Sequence, residues 1–365
     1  MGKDIIRCHC QFLEPEFWHN SELTVLAGRG FSGLDAKFSS WLDSQKSLRN
    51  HLLFQTSGST GKSKWVAISK SALIQSAKQV NHMLGVVDGA RWALVLPFYH
   101  VGGFGVLTRA FLSGGHCAVY HGKWDAVKFS GFISKSKSEY VSLVPTQVVD
   151  LVRNRCIVPP SLKSVVVGGG RLSDSVYEQA KNLGWPILRS YGMTESASQI
   201  ATGDVADSGL KVLDGWEIRI NAQGLIEWKG EAGMTGYVTE DGGEYQVQNP
   251  YVDGWFSSND LGEFDGEHLK VLGRADQSVK ILGELVDLAA LEQEVEAQCG
   301  RACVIFTEAD ERRGVTLHPV LEGGSKADLS GFTGLKTMQE TRYVAQFPRS
   351  ELGKIRRSAL RDLLS

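Results

Sequence analysis

Short apolar runs alternate with helical patterns along roughly the first two hundred residues. Strand-like runs begin at several positions: HLLFQ at 51, KWVAI at 64, WALVLP at 92, HCAVY at 116, YVSLVP at 140, SVVVGG at 164 and WPILRSYG at 185. Helical patterns between them include Ser69 to Leu84 and Ser173 to Leu183, and each opens with a serine that can cap the first turn. Strands that alternate with helices predict an α/β domain with a largely parallel sheet.

The pattern changes near Leu210. The segments WEIRI, GLIEWKG and HLKVLGR are short, alternate between apolar and polar residues and are bounded by Gly, Asn or Asp, which is typical of antiparallel strands. After GRADQS the pattern predicts strands near Val279 and Cys303, a helix over Leu288 to Gln298 and a final helix after Gly353. This order indicates a β-rich region on the first domain, followed by a small α+β domain of about ninety residues.

Composition and charge exclude several classes of protein. The chain has 365 residues, of which 42% are hydrophobic and 22% charged, as expected for a globular protein with more than one core. Its formal net charge is −2 and the basic residues are dispersed, so we expect neither a nucleic-acid partner nor a membrane surface. The six cysteines form no CxxC pair, and no apolar leader follows Met1. We therefore expect a cytoplasmic protein.

The stretch QTSGSTGKSKWV, from Gln55 to Val66, looks like a phosphate-binding loop. It fails the G-x-x-x-x-G-K-[ST] pattern at Thr56, and the following segment predicts a strand instead of a helix. The sequence therefore predicts a hairpin loop whose hydroxyls and open backbone could hold a phosphate. A flexible surface hairpin remains the alternative, since Gly and Ser are ordinary turn residues.

Other segments offer polar groups suited to a nucleotide. Thr194 and Glu195 supply a hydroxyl for a phosphate and a carboxylate for Mg²⁺, or else a helix start. Asp260 is expected after a strand-ending turn, where it binds ribose hydroxyls or forms an Asx turn. Arg274 and Asp276 follow, and Lys354 lies among basic residues that also suit a solvated surface.

Together and in this order, these segments resemble the adenylate-forming superfamily of acyl-CoA synthetases, luciferases and peptide-synthetase adenylation domains. The resemblance runs from about Leu52 to Arg357. It implies a large N-terminal domain of α/β subdomains with a β-barrel-like region over residues 1–275, and a small mobile α+β lid domain over 276–365. The glycine loop begins only about 55 residues into the chain, so we expect a reduced N-terminal subdomain.

The resemblance implies a role for each matching residue. The nucleotide and its Mg²⁺ are expected at Thr56, Ser57, Gly58, Ser59, Thr60, Gly61, Lys62, Lys64, Gly168, Gly169, Gly170, Tyr191, Gly192, Met193, Thr194, Glu195, Asp260 and Arg274, with Glu195 as the metal ligand. The acyl substrate is expected at His100, Ser198 and Gln199. Catalysis is assigned to Lys354, Thr194, Glu195 and His100, and the hinge to Asp276.

The implied reaction joins a carboxylic acid to CoA with ATP and Mg²⁺. The segments SLVPTQ and SYGMTESASQI are most similar to the o-succinylbenzoate CoA ligases of menaquinone biosynthesis. Another aryl or fatty acid, or transfer to a carrier protein, stays open, as does a homodimer. Leu282 replaces a glycine that the superfamily usually has. A P-loop kinase or GTPase is disfavoured by Thr56, and a non-catalytic relative by the presence of the implied catalytic residues.

Overall fold

The computed structural model describes residues 10–28, 33–57, 63–203, 209–281, 284–310, 314–324, 341–350, 353 and 355–364. Its α-helices are α1 Pro15–His19, α2 Ala36–Ser44, α3 Lys70–Met83, α4 Val101–Leu112, α5 Ala126–Ser136, α6 Pro145–Arg153, α7 Asp174–Asn182, α8 Leu288–Cys299 and α9 Arg357–Asp362. Short 3-10 helices occur at Cys10–Leu13, Lys46–Leu48, Thr194–Ser196 and Ala275–Gln277.

The β-strands are β1 Thr24–Leu26, β2 His51–Ser57, β3 Ser63–Ser69, β4 Arg91–Leu94, β5 His116–Val119, β6 Tyr140–Leu143, β7 Ser164–Val167, β8 Ile187–Met193, β9 Ser198–Gly203, β10 Leu210–Val212, β11 Trp216–Ile220, β12 Leu225–Gly230, β13 Gly236–Asp241, β14 Glu244–Gln248, β15 Phe256–Phe264, β16 His268–Arg274, β17 Ser278–Ile281, β18 Glu284–Asp287, β19 Cys303–Asp310, β20 Gly314–Glu322 and β21 Arg342–Val344. All strands expected from the apolar runs are present.

The helix starts expected at two serines are confirmed. Ser69 precedes α3, and its hydroxyl accepts a hydrogen bond from the backbone N–H of Ala72 at 3.1 Å. Ser173 caps α7 in the same way through the N–H of Val176 at 3.4 Å. Each hydroxyl satisfies one of the backbone donors that the first turn of a helix leaves unpaired.

The predicted parallel sheet lies within an eleven-stranded sheet of order β11-β12-β15-β16-β10-β9-β8-β7-β6-β4-β5. Strands β5, β4, β6, β7 and β8 run parallel, and β9 returns antiparallel beside β8. Helices α5, α6 and α7 pack on this sheet through a core that includes Phe129, Leu151 and Tyr177. Parallel strands place their carboxyl ends along one edge, where open α/β sheets bind their ligands.

A second sheet has the order β1-β2-β3-β13-β14. Strands β2 and β3 form the expected hairpin, with Thr56 opposite Lys64 and Ser57 opposite Ser63. The loop residues of that hairpin, 58–62, lie outside the described residues, as do Leu282 and Lys354. Strand β13 pairs antiparallel with β3, so a segment near residue 237 lies beside the hairpin.

The sequence interpretation of Asp260 was wrong in its local structure. Asp260 lies inside β15, not after a strand-ending turn. Its backbone N–H donates to the Ser258 hydroxyl at 3.2 Å, and that hydroxyl donates to the Ile226 carbonyl at 2.8 Å. Ser, Asn and Asp favour turns in isolation, but pairing within a sheet overrode that local preference.

The chain divides into two compact units. The first comprises residues 1–219, 227–257 and 264–270, and the second comprises 220–226, 258–263 and 271–365. The expected division at residues 275 and 276 stays a prediction. In the second unit, α8 packs on β19 and β20 through Leu291, Val295 and Ile305, and α9 contributes Leu360 to a separate small cluster. Among the described residues, no helix has the length and apolar character needed to cross a bilayer.

Candidate active site

Three predicted site segments follow neighbouring parallel strands at their carboxyl ends. His100 lies in the loop after β4, the glycines from 168 follow β7, and Thr194 follows β8. The strand order β8-β7-β6-β4 brings these three loops to one edge of the sheet. The structure therefore brings together segments that are 94 residues apart in the sequence from His100 to Thr194.

The glycines after β7 leave the backbone accessible. A Cβ atom at Gly168 would lie 2.8 Å from the Ser190 hydroxyl, so a larger residue there would require the Ser190 side chain to shift. Gly169 has φ +79°, and both Gly169 and Gly170 are exposed. Tyr191 lies in β8 with 9% of its surface exposed. An open backbone and an aromatic ring on the neighbouring strand are both suited to a flat base.

The turn that carries Thr194 and Glu195 is held from several directions. The Ser196 hydroxyl accepts from the Met193 N–H at 3.0 Å, and its single proton is within 3.0 Å reach of two carbonyl acceptors, those of Met193 and Ser198. Ser76 of α3 donates to the Ala197 carbonyl at 3.1 Å, and Ala197 adopts the left-handed conformation with φ 50°. These contacts fix the 3-10 turn whose first two residues are Thr194 and Glu195.

Glu195 is the centre of a charged cluster. Its Oε1 accepts from the Tyr237 hydroxyl at 2.8 Å and lies 3.6 Å from Nζ of Lys64. The same Nζ lies 3.7 Å from the centre of the Tyr237 ring. The backbone carbonyl of Glu195 accepts from Met234 N at 2.8 Å, and the Tyr251 hydroxyl donates to the Met234 carbonyl at 2.8 Å.

Burial and the Glu195 carboxylate raise the pKa of Tyr237. Burial, together with the same carboxylate, also raises the pKa of Tyr251. Both phenols therefore stay protonated near neutral pH and act as hydrogen-bond donors. The carboxylate of Glu195 keeps 15% of its side-chain surface exposed, and its Oε2 forms no hydrogen bond or ion pair with any residue that the structure describes.

The described residues include the two ends of the glycine loop. The hydroxyl of Thr56 donates to the Lys64 carbonyl at 3.3 Å, and Lys64 extends to Glu195. Gly58, Ser59, Thr60, Gly61 and Lys62 lie outside the described residues, and so does the side chain of Ser57. The described ends therefore place the loop's base beside Glu195.

Arg109 was not identified from the sequence. It lies in α4 with 1% of its surface exposed, and its Nη2 donates to the Ser198 hydroxyl at 3.1 Å. Its Nη1 donates to the Ser142 hydroxyl at 3.4 Å, whereas its Nε has no partner in the described part of the chain. No carboxylate from the described ranges pairs with this guanidinium. Burial lowers the pKa of Arg109 to about 10, so the group still carries its charge at neutral pH.

The residues expected at the acyl substrate lie near this arginine or at the start of its helix. Ser198 contacts Arg109 directly, and His100 is the N-cap residue of α4 with its ring 4.9 Å from that of Tyr99. Gln199 is buried, and its amide donates to the Thr202 hydroxyl at 3.0 Å. These positions agree with an acyl pocket between α4 and the turn before β9, and the pocket assignment stays a prediction.

Three further predicted residues cluster in the second unit. Arg274 donates through Nε to Asp276 Oδ1 at 2.8 Å and through Nη2 to Oδ2 at 3.0 Å. Its Nη1 lies 3.7 Å from Oδ1 of Asp260, whose side chain is 14% exposed. The Arg274 hydrogen bonds lower the pKa of Asp276. The guanidinium thus links the expected ribose-binding aspartate to the expected hinge residue.

A magnesium ion fits the cluster at Glu195 on chemical grounds. Mg²⁺ binds proteins through one or two carboxylates and completes its shell with phosphate oxygens and water. Oε1 of Glu195 is occupied by Tyr237 and Lys64, which leaves Oε2 for an ion. Within the described ranges, no three His, Cys, Asp or Glu side chains lie together, so the ion would depend on Glu195 and on the phosphates.

Sequence reasoning missed Arg109 and Tyr237 for different reasons. A single arginine in the apolar helical run VGGFGVLTRAFL was a signal, because an unpaired charge there suggests a ligand-binding role. Tyr237 gave no local signal. Its contact with Glu195, 42 residues earlier, depends on the pairing of β13 with β3.

Comparison with known proteins relates most of the chain to one group of enzymes. The sequence model of the family described as AMP-binding enzyme matches residues 44–237. A relative named probable 2-succinylbenzoate–CoA ligase, from Mycobacterium tuberculosis (strain H37Rv), is 30% identical over 339 residues, which cover 85% of this chain and 83% of the relative.

Solved structures give the same relationship. The o-succinylbenzoate CoA synthetase (MenE) from Bacillus subtilis, in complex with the acyl-adenylate intermediate OSB-AMP, superposes with a TM-score of 0.76 at 25% identity, over 85% of this chain and 69% of that one. The same Bacillus subtilis protein in complex with ATP and a magnesium ion gives a TM-score of 0.74 at 25% identity, over 85% and 70%.

Proposed function

Because this chain belongs to the AMP-binding enzyme family, we propose that it activates o-succinylbenzoate with ATP and transfers the acyl group to CoA. The product is o-succinylbenzoyl-CoA, an intermediate of menaquinone biosynthesis. The similarity to 2-succinylbenzoate–CoA ligases and to the complex with OSB-AMP supports this substrate.

The reaction has two steps. A carboxylate oxygen of the acid attacks the α-phosphorus of ATP, and the bond to the departing pyrophosphate breaks. The sulfur of CoA then attacks the acyl carbon of the adenylate, loses its proton and displaces AMP. In such transfers the protein contributes mainly by positioning the groups and stabilising charge.

The arrangement in the first unit suits the first step. Lys64 lies at the base of the glycine loop, where its charge suits the phosphates that become pyrophosphate, and Thr194 suits the α-phosphate. Glu195 would hold Mg²⁺, which when bound neutralises charge on phosphate oxygens. Tyr191 and the backbone from Gly168 to Gly170 suit the adenine. In the second unit, Asp260 with Arg274 suits the ribose.

The observation that carries the choice of acid is the buried guanidinium of Arg109. A buried charge without a counter-ion is costly, so this position is suited to an anionic group of the ligand. A substrate with a single carboxylate would consume that group in the reaction and leave Arg109 unpaired. o-Succinylbenzoate has two carboxylates, so one can be activated while the other pairs with Arg109 beside Ser198.

The test compares acids that differ by one carboxylate. Pyrophosphate release with CoA is measured for o-succinylbenzoate, for 4-oxo-4-phenylbutanoate, which lacks the ring carboxylate, and for 2-butanoylbenzoate, which lacks the chain carboxylate. We expect o-succinylbenzoate to have a kcat/KM at least about 100-fold above either analogue, since each analogue loses one charged partner. Turnover of another acid with no turnover of o-succinylbenzoate would overturn the choice of substrate.

The variant Arg109→Met tests the role of the guanidinium. We expect it to lose about 100-fold in kcat/KM for o-succinylbenzoate and to change little for whichever analogue keeps the activated carboxylate. Arg109→Lys, which keeps a charge without the planar fork, should lie in between. Arg153→Met, at an exposed arginine in the last turn of α6, is the matched control and should resemble the wild type. Equal losses on all acids would contradict a carboxylate-binding role.

Three wider expectations belong to this proposal. A lid domain over residues 276–365 with Asp276 as its hinge would carry Lys354 to and from the reaction. The use of ATP and CoA supports a cytoplasmic location. A homodimer stays a prediction about the assembly, to be tested by the mass of the protein in solution.

A further inference from the structure

Tyr237 is a half-buried tyrosine between the two charged groups to which the proposed function assigns Mg²⁺ and the phosphates, Glu195 and Lys64. It lies on β13, opposite Val66 of β3, so Lys64 is its diagonal neighbour on the same face of the sheet. Its hydroxyl donates to Oε1 of Glu195 at 2.8 Å, and its ring faces Nζ of Lys64 at 3.7 Å. A single side chain therefore contacts both the carboxylate and the ammonium.

These contacts accompany a loose pairing of the two charges. Nζ of Lys64 lies 3.6 Å from Oε1 of Glu195, longer than an ordinary charge-assisted hydrogen bond. Because the phenol occupies Oε1, the lysine is held over the ring instead of closing fully on the carboxylate. Oε2 is left without a hydrogen bond or ion pair to the residues that the structure describes.

The position of Tyr237 is itself secured. Two residues before the start of β13, Met234 donates its backbone N–H to the Glu195 carbonyl at 2.8 Å, and the Tyr251 hydroxyl donates to the carbonyl of Met234 at 2.8 Å. The backbone of the Glu195 turn and the strand that carries Tyr237 are thus linked directly. These bonds hold together the two backbone segments that carry the phenol and the carboxylate.

We propose that Tyr237 is a positioning residue, which orients the Glu195 carboxylate toward Mg²⁺ and keeps Lys64 available for the nucleotide phosphates. This inference rests on the proposed function, since it takes Glu195 as the metal ligand. Tyr237, which lies outside the glycine loop and outside the Thr194–Glu195 turn, would thus set how strongly Mg²⁺ tightens nucleotide binding. Hydrogen-bonded partners of metal ligands commonly set metal affinity in this way.

The test measures nucleotide binding without turnover. ATP affinity is determined by calorimetry in the absence of the acid substrate, once with Mg²⁺ and once with EDTA, and the ratio of the two dissociation constants is the readout. We expect Tyr237→Phe, which keeps the ring next to Lys64, to reduce the tightening by Mg²⁺ about tenfold, at the lower end of the range for such partners. Its affinity for metal-free ATP should stay within about twofold of the wild type, because the lysine and ring remain.

Further variants separate the possible outcomes. Tyr237→Leu removes the ring as well and should also weaken binding of metal-free ATP. Tyr245→Phe, which removes another tyrosine-to-carboxylate hydrogen bond in the same sheet, from Tyr245 to Asp35 at 3.0 Å, should leave both affinities unchanged. A loss in Tyr237→Phe that is equal with and without Mg²⁺, or no loss at all, would overturn the positioning role.

Glu195→Gln distinguishes this inference from the function on which it rests. If Glu195→Gln reduces the Mg²⁺ effect while Tyr237→Phe does not, the metal role of Glu195 stands and the inference about Tyr237 fails. If Glu195→Gln keeps the full Mg²⁺ effect, the assigned metal role is wrong and the inference fails with it. Loss of the effect in both variants supports both assignments.

Discussion

At Gly192 the backbones of β8 and β9 come so close that no side chain fits between them. A Cβ atom at Gly192 would lie 1.7 Å from the carbonyl oxygen of Ser198, and the strand register shifts between Tyr191 and Gly192. This close approach returns the chain past Thr194 and Glu195 in a tight turn. Gly192 therefore fixes the backbone on which Thr194 and Glu195 lie, the residues with proposed roles at the phosphate and the metal.

We therefore expect Gly192→Ala to damage both stability and activity. The clash is with a backbone carbonyl, which cannot rotate away as a side chain could. The free energy of unfolding should therefore fall by at least about 1–3 kcal/mol, as in overpacked cores. Denaturant unfolding and pyrophosphate release give the two readouts. Gly131→Ala is the matched control, because Gly131 lies inside α5 and a Cβ there would meet nothing within 4 Å. This variant should be more stable than the wild type by up to about 1 kcal/mol, with activity unchanged. Wild-type behaviour of Gly192→Ala would refute the argument from close approach.

Helix α9 of the second unit is anchored through one buried carboxylate. Glu292 of α8 is 8% exposed, and its Oε1 accepts from the Ile305 N–H at 2.6 Å. Its Oε2 pairs with Nη2 of Arg357, the first residue of α9, whose Nη1 donates to the Ile305 carbonyl at 3.4 Å. Burial raises the pKa of Glu292, and the two donors act in the opposite direction. One side chain thus joins α8, β19 and α9.

Glu292→Ala should destabilise this unit by about 1–3 kcal/mol, because it leaves a buried N–H without an acceptor and Arg357 without its partner. Glu292→Gln keeps an acceptor for Ile305 and should cost less. The measurement is denaturant unfolding combined with amide hydrogen exchange at Ile305, which should become faster. Glu308→Ala, whose carboxylate is 69% exposed in its pair with His318, is the control and should change stability by less than about 0.5 kcal/mol. Equal effects of the two alanine variants would contradict the anchoring role.

Residues with proposed roles occur in both compact units of the chain. Glu195, Lys64 and Arg109 belong to the first, whereas Asp260 and Arg274 belong to the second, whose range also includes Lys354. In the proposed function, the second unit contributes to adenylation and then gives way to thioester formation, as domain rotations do in other enzymes. The lysine suits such a role because it is a compact charge on a long stem.

The variant Lys354→Ala should therefore affect the two half-reactions unequally. We expect ATP–pyrophosphate exchange with o-succinylbenzoate to fall by about 10²–10³-fold, the usual loss when one stabilising donor is removed. Thioester formation from supplied acyl adenylate and CoA should change far less. Lys211→Ala, at a lysine 65% exposed in its pair with Glu267, serves as the control and should leave both steps intact. Equal losses in both steps would refute the division of labour.

The local structure of this chain, its strands, helix caps and hairpin, could be predicted from its sequence. The parallel strands, the Ser69 and Ser173 caps and the hairpin around the glycine loop were all expected, because each depends on periodicity or on chemistry within a few residues. Asp260 was expected after a strand-ending turn because its neighbours favour turns, whereas the strand that contains it is fixed by partners elsewhere in the chain.

The sequence by itself also determined which segments supply the polar groups, since their types and order match an adenylate-forming enzyme. Only the tertiary structure decided how those groups are supported. Arg109 contacts Ser198 across 89 residues, and Tyr237 contacts Glu195 across 42. Neither pair follows from any local pattern, because a contact over such a separation exists only once helix packing and strand register have been chosen for the whole sheet.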